Sequence, residues 1–181
     1  MRMKRFSLYV LLSVVVLLTG TSTDTPEIIY WDEDYKLSWD DFEGAPRFEY
    51  QSISALTSSG IVHYKGCRDG KIIYKVQAYF EKHESWVKDE ARTDHHLRHE
   101  QLHFDITELN ARRLRKALKD RSFNCGEEQE FEDFVSTLLS NWENDQRAFD
   151  LFTRHSMARD VQKQWFYKIE MELSLMDEYK E

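Results

Sequence analysis

The sequence predicts an α+β domain: a small antiparallel β layer first, then three long helices. Three observations carry the fold. Residues 71–81 (KIIYKVQAYFE) alternate with the two-residue period of a strand. From Asp94 the apolar period lengthens to that of a helix. Only six Gly and two Pro occur in 181 residues, too few for a loop-dominated chain.

Residues 1–22 read as a signal peptide. Arg2, Lys4 and Arg5 form a positive start, Phe6 to Leu18 an apolar core of 13 residues, and Thr19 to Ser22 a run of small residues for cleavage. The core is short for a membrane span, so no stable span is expected once it is cleaved; an uncleaved N-terminal anchor is the alternative. No Cys follows the apolar run, which argues against a lipid anchor. Residues 23–181 then form a single domain outside the cytoplasm, secreted or periplasmic.

Within that domain, Ile28 to Trp31 and Leu37 to Trp39 are short apolar bursts. Residues 51–64, rich in Ser, Thr and Ile, suggest a strand or two, and residues 65–70, with Gly66, Asp69 and Gly70, a hairpin turn. The strand 71–81 puts Ile72, Tyr74, Val76, Ala78 and Phe80 on one face. Leu97, Leu102, Ile106, Leu109, Leu114 and Leu118 make the stripe of a helix over 94–119, with basic residues crowding its end, where the helix dipole favours them. After a break at 122–126, a second helix is expected over 127–155 from Phe131, Phe134, Val135, Leu138, Leu139, Trp142, Phe149 and Phe152. Ser156 looks like the N-cap of a third helix carrying Val161, Trp165, Ile169 and Leu173.

Charge and cysteines narrow the function. Beyond residue 22 there are 22 basic and 33 acidic side chains, net −11. Such a chain is a poor partner for nucleic acid or anionic lipid. Cys67 and Cys125 lack zinc-ribbon spacing. In an oxidising compartment a disulfide is the simplest reading of the two.

The chemistry concentrates in His99-Glu100-Gln101-Leu102-His103. Helical residues four apart lie about 40° apart on one face, one turn above the other. Both imidazoles therefore reach one ion, and Glu100 falls beside them, where it holds a water. This is the H-E-x-x-H pattern of zinc hydrolases, so the first helix is expected to be a zincin-like metal helix. Catalytic zinc needs a third protein ligand and an open position. Asp105 and Glu108, about 200° and 140° round the helix from His103, point elsewhere. His155 ends the second helix; if the first two helices pack antiparallel, it returns toward His99. On spacing alone it is either a ligand or a residue satisfied by the helix C-terminus. Asp150 is placed to orient a ligand from behind. His95 and His96 extend the histidine ladder or simply open the helix.

Taken with their order, these motifs resemble a bacterial family catalogued as a domain of unknown function and described as predicted secretory Zn-dependent proteases. Residues 37–44 (LSWDDFEG) look like that family's L-x-W-x-D-F-x-G, residues 84–87 contain its S-W-V, and residues 99–109 (HEQLHFDITEL) match H-E-Q-x-H-F-D-I-x-E-L. Residues 149–156 (FDLFTRHS) resemble Y-D-x-x-T-x-H-G, with Phe149 in place of Tyr and Ser156 in place of Gly, and Gln162 and Trp165 fit Q-x-x-W. The resemblance implies Zn²⁺ bound by His99, His103 and His155, Glu100 as general base, and a peptide or protein substrate. The expectation is thus a secreted zinc metallopeptidase. Two other readings use the same residues: a non-catalytic zinc-binding or protein-binding module, and a helical domain without metal.

Overall fold

The computed structural model describes residues 27–47 and 53–181. The signal segment expected at 1–22, and Gln51 and Ser52 at the start of an expected strand, lie outside these residues. The elements run β1 (Ile28–Tyr30), β2 (Ala55–Leu56), β3 (Ser59–Arg68), β4 (Lys71–Glu81), β5 (Trp86–Val87), α1 (Asp94–Asp120), α2 (Glu128–Thr153) and α3 (Arg159–Leu175). The fold is α+β, as the sequence predicts. An antiparallel sheet has the order β1-β4-β3, and a separate antiparallel pair joins β2 to β5.

The β3–β4 hairpin is tighter than its composition suggests. Arg68 pairs with Lys71, so the turn is Asp69-Gly70 alone, and Lys65 to Cys67 continue the strand opposite Tyr74 to Ile72. Both turn residues have positive φ, 50° and 76°, as a two-residue hairpin turn of this hand requires. The α1–α2 connection runs alongside the start of β4. The backbone N–H of Ile72 donates to Phe123 O, and that of Cys125 to Gly70 O. This placement forms the Cys67–Cys125 disulfide, with a Cα separation of 5.7 Å.

Helix α1 is the centre of the molecule. Thr93 caps it, its hydroxyl accepting from the His96 N–H at 3.2 Å. Its sheet-facing side, with Phe104, Ala111, Leu114 and Leu118, packs on Val76, Ala78 and Phe80 of β4. Its other side, with Leu102, Ile106 and Leu109, packs on Phe149 of α2 and Ile169 of α3. A helix covered on both sides has to satisfy its polar groups internally. Glu108 does so against the guanidinium groups of Arg112 and Arg115, each at 2.9 Å.

The corner after α2 differs from the expected helix end. The helix stops at Thr153, and Arg154, His155 and Ser156 all take left-handed backbone, with φ of 51°, 50° and 71°. Ser156 therefore does not cap α3, which begins at Arg159 after Ala158. The turn is held by hydrogen bonds from His155 N–H to Asp150 O (3.0 Å), Ala158 N–H to Thr153 O (2.7 Å) and Thr153 Oγ1 to Phe149 O (2.7 Å).

Candidate metal centre

Helix α1 brings His99, Glu100 and His103 to a cleft of about 220 Å³ between β2, α2 and the corner after α2. His99 and Glu100 are each 4% exposed. From the opposite wall, α2 presents Asp150. Its Oδ1 lies 3.2 Å from His99 Nε2 and 3.2 Å from His103 Nε2. Candidate donor atoms of these three residues all lie within 4.8 Å of one another. His155 reaches the same group through the carboxylate, its Nδ1 3.2 Å from Asp150 Oδ1. The structure thus joins the four expected residues, with the three imidazoles meeting at one carboxylate oxygen, Asp150 Oδ1.

The surroundings fix how each imidazole presents itself. Gln146 Nε2 donates to His103 O and to Thr107 Oγ1, both at 2.9 Å, so its Oε1 is the atom that accepts from His103 Nδ1–H at 2.6 Å. The Nδ1 proton of His103 is thereby committed, and in the neutral ring Nε2 offers a lone pair toward Asp150. Two lone pairs facing at 3.2 Å need a proton or a cation between them. A zinc ion with bonds of about 2.0–2.1 Å places tetrahedral ligands about 3.3 Å apart. Two imidazole nitrogens and a carboxylate oxygen are also donors that zinc accepts, so the residues fit the metal that the motif implies. His99 differs from His103: its Nδ1 is buried with no hydrogen-bond partner.

Electrostatics separates the groups further. Burial draws His99 below the ordinary imidazole value, against the opposing hydrogen bond to Asp150. His103 is buried too, but its bond to Asp150 and the charges of Glu100 and Asp150 together outweigh burial and raise it. For Asp150, burial pushes upward, yet the bonds from His103 and His99 hold the carboxyl well below the usual carboxylate range.

The other candidates have partners elsewhere. Asp105 Oδ1 accepts from Trp31 Nε1 at 2.8 Å and Gln101 Nε2 at 2.9 Å, and Glu108 is held by Arg112 and Arg115. His95 Nε2–H donates to Ser156 O at 2.6 Å, anchoring the left-handed corner to α1. His96 Nδ1–H donates to Ala91 O. Phe149, where the resembled pattern carries Tyr, is fully buried. It stacks on His99 and meets Trp165 behind it, so position 149 belongs to the core. A second carboxylate–histidine group, Glu27, Glu43 and His83, is exposed. Lys82 already bridges its two carboxylates, and its hydrogen bonds to Glu43 and Glu27 raise its pKa.

Sequence reasoning missed Thr57 and Gln146. Trp142, Gln146 and Asp150 lie four residues apart along α2, and this stripe on one face of an amphipathic helix is the signal that points to Gln146. Thr57 sits in the short connection between β2 and β3 and leaves no such pattern.

A protein-family model described as "Bacterial protein of unknown function (DUF922)" matches residues 76–156. The matched stretch runs from β4 to the corner after α2 and contains Glu100 and all the candidate ligands. No curated protein and no solved structure matches the chain.

Proposed function

We propose that this chain is a zinc-dependent hydrolase of peptide bonds that works outside the cytoplasm. The observation that carries the reading is the convergence of His99 Nε2, His103 Nε2 and Asp150 Oδ1 beside Glu100 in one cleft. His99 and His103 would hold the ion with Asp150 as third donor, and His155, the third ligand expected from the sequence, would brace Asp150 through Oδ1. Bound there, zinc would act as a Lewis acid and bring the pKa of a water toward about 7. Glu100 would be the base that accepts a proton from such a water and passes it to the leaving amine. The Cys67–Cys125 disulfide fits an oxidising compartment. No helix among the described residues is long and apolar enough to cross a membrane. Secretion by the signal peptide at 1–22 completes the proposal.

The test has two stages. Protein purified and dialysed against metal-free buffer is titrated with zinc; no tight binding overturns the proposal. Glu100→Gln should then keep zinc and lose hydrolysis of a peptide library. A non-catalytic zinc-binding or protein-binding module is the second reading. It is favoured by His155 Nδ1 lying against the same Asp150 oxygen as His99 and His103: with His155 on the ion as well as Asp150, four protein ligands would close the zinc site. Zinc binding without turnover by either form supports that module.

A further inference from the structure

The residue directly behind Glu100 is Thr57. Its Oγ1 lies 2.8 Å from Glu100 Oε2 and 3.2 Å from the Glu100 carbonyl oxygen. A hydroxyl has one proton to give, and the ionised carboxylate is the stronger acceptor. That proton ties down Oε2 and leaves Oε1 as the oxygen for the cleft.

Thr57 is itself held firmly. It follows β2, whose Ala55 and Leu56 pair with Val87 and Trp86. On its other side, Ser58 N–H donates to Ser85 Oγ at 2.9 Å, and Ser85 is fully buried. The β-branched side chain adds a stiff χ1. Glu100 is therefore fixed from two sides, by its own helix and by the segment after β2, which also lines the cleft.

We infer that Thr57 is a positioning residue that sets the orientation of the Glu100 carboxylate toward the ion; this rests on the zinc-hydrolase reading above. The hydroxyl makes no contact with the candidate ligands. Its effect passes through Glu100 alone.

The test uses the full zinc-loaded chain and acetohydroxamate, a zinc chelator whose own hydroxyl hydrogen-bonds to a carboxylate beside the ion. Affinity is measured by titration, independently of turnover. Thr57→Val keeps the shape and removes the proton. It should weaken acetohydroxamate about tenfold, the size of one charge-assisted hydrogen bond, with zinc affinity unchanged. Thr57→Ser should restore binding. Glu100→Gln should weaken it at least as much, and adding Thr57→Val to that variant should change nothing further. Where peptide hydrolysis is measured, Thr57→Val should lower kcat and leave KM. Unchanged acetohydroxamate affinity in Thr57→Val, with a loss in Glu100→Gln, overturns the role of Thr57 and spares the zinc reading. Full affinity in both variants removes Glu100 from the ion's side and this inference with it, and no zinc bound at all removes the zinc reading as well.

Discussion

The Phe149 ring stacks on the His99 imidazole, with centroids 4.5 Å apart and planes 25° from parallel. It also stands edge-on to His103 at 4.8 Å. This ring is the apolar backing of the histidine pair, and it is fully buried. A phenol at this position would place its hydroxyl in the core rather than in the cleft.

Phe149→Tyr is therefore expected to add no hydrolytic activity. It should lower stability by about 1–3 kcal/mol if the hydroxyl finds no partner. Phe149→Ala should cost about 3–5 kcal/mol. Denaturant midpoints and peptide-hydrolysis rates measure both. A rise in kcat in Phe149→Tyr would show that the hydroxyl reaches the substrate.

Asp150 and His155 should differ in their hold on zinc. Losing a direct donor costs more than losing the group that orients it, for which 10–100-fold is usual. Asp150→Ala is expected to lose more than about a hundredfold in affinity and His155→Ala about tenfold, read by competition with a chromogenic chelator. The reverse order would make His155 the ligand.

The two imidazoles should titrate apart in protein stripped of metal. Both meet the same Asp150 oxygen, yet burial lowers His99 while Asp150 and Glu100 raise His103. NMR titration should place His99 below the ordinary value of about 6.5 and His103 above it. Asp150→Asn should bring His103 down. The depressed Asp150 adds a sign: its stabilising effect is complete above the unfolded Asp value of about 4 and is lost as pH falls below that. Acid unfolding of Asp150→Asn should be correspondingly less steep.

Ser156 holds a φ of 71° without being glycine. Such backbone costs a side-chain-bearing residue about 1–2 kcal/mol. Ser156→Gly should raise stability by about 0.5–1 kcal/mol, a gain of roughly 1–4 °C in Tm, and Ser156→Val should lower it. A fall in Ser156→Gly would mean that the buried side chain matters more than the strain.

The disulfide closes a loop across a separation of 58 residues. Loop-closure entropy assigns such a link about 4 kcal/mol. Cys67→Ser/Cys125→Ser, or the reduced protein, should show that loss in its denaturant midpoint.

Much of this architecture was legible from local pattern. The strand 71–81 and the helix over His99 and His103 follow from periodicity, and the pairing of Cys67 with Cys125 from their number and setting. Asp150 and His155 were legible as neighbours of the site, because an antiparallel return of α2 brings its end to the start of α1. That three imidazoles meet one Asp150 oxygen was not, since it depends on where α2 stops. Three successive left-handed residues ended that helix at Thr153, and Arg154, His155 and Ser156 are residue types that give no warning of it. Thr57 was hidden for another reason: its contact with Glu100 spans 43 residues and depends on how β2 sits over α1.

His99 and His103 become neighbours as soon as α1 coils, but Asp150 lies 47 residues beyond His103. A ribosome adding about 5–20 residues per second delivers it several seconds later. Until then the growing chain offers a divalent ion only a pair of imidazoles. On the zinc-hydrolase proposal, the third donor arrives only with α2, so the compartment in which α2 docks on α1 would decide which metal the site takes up.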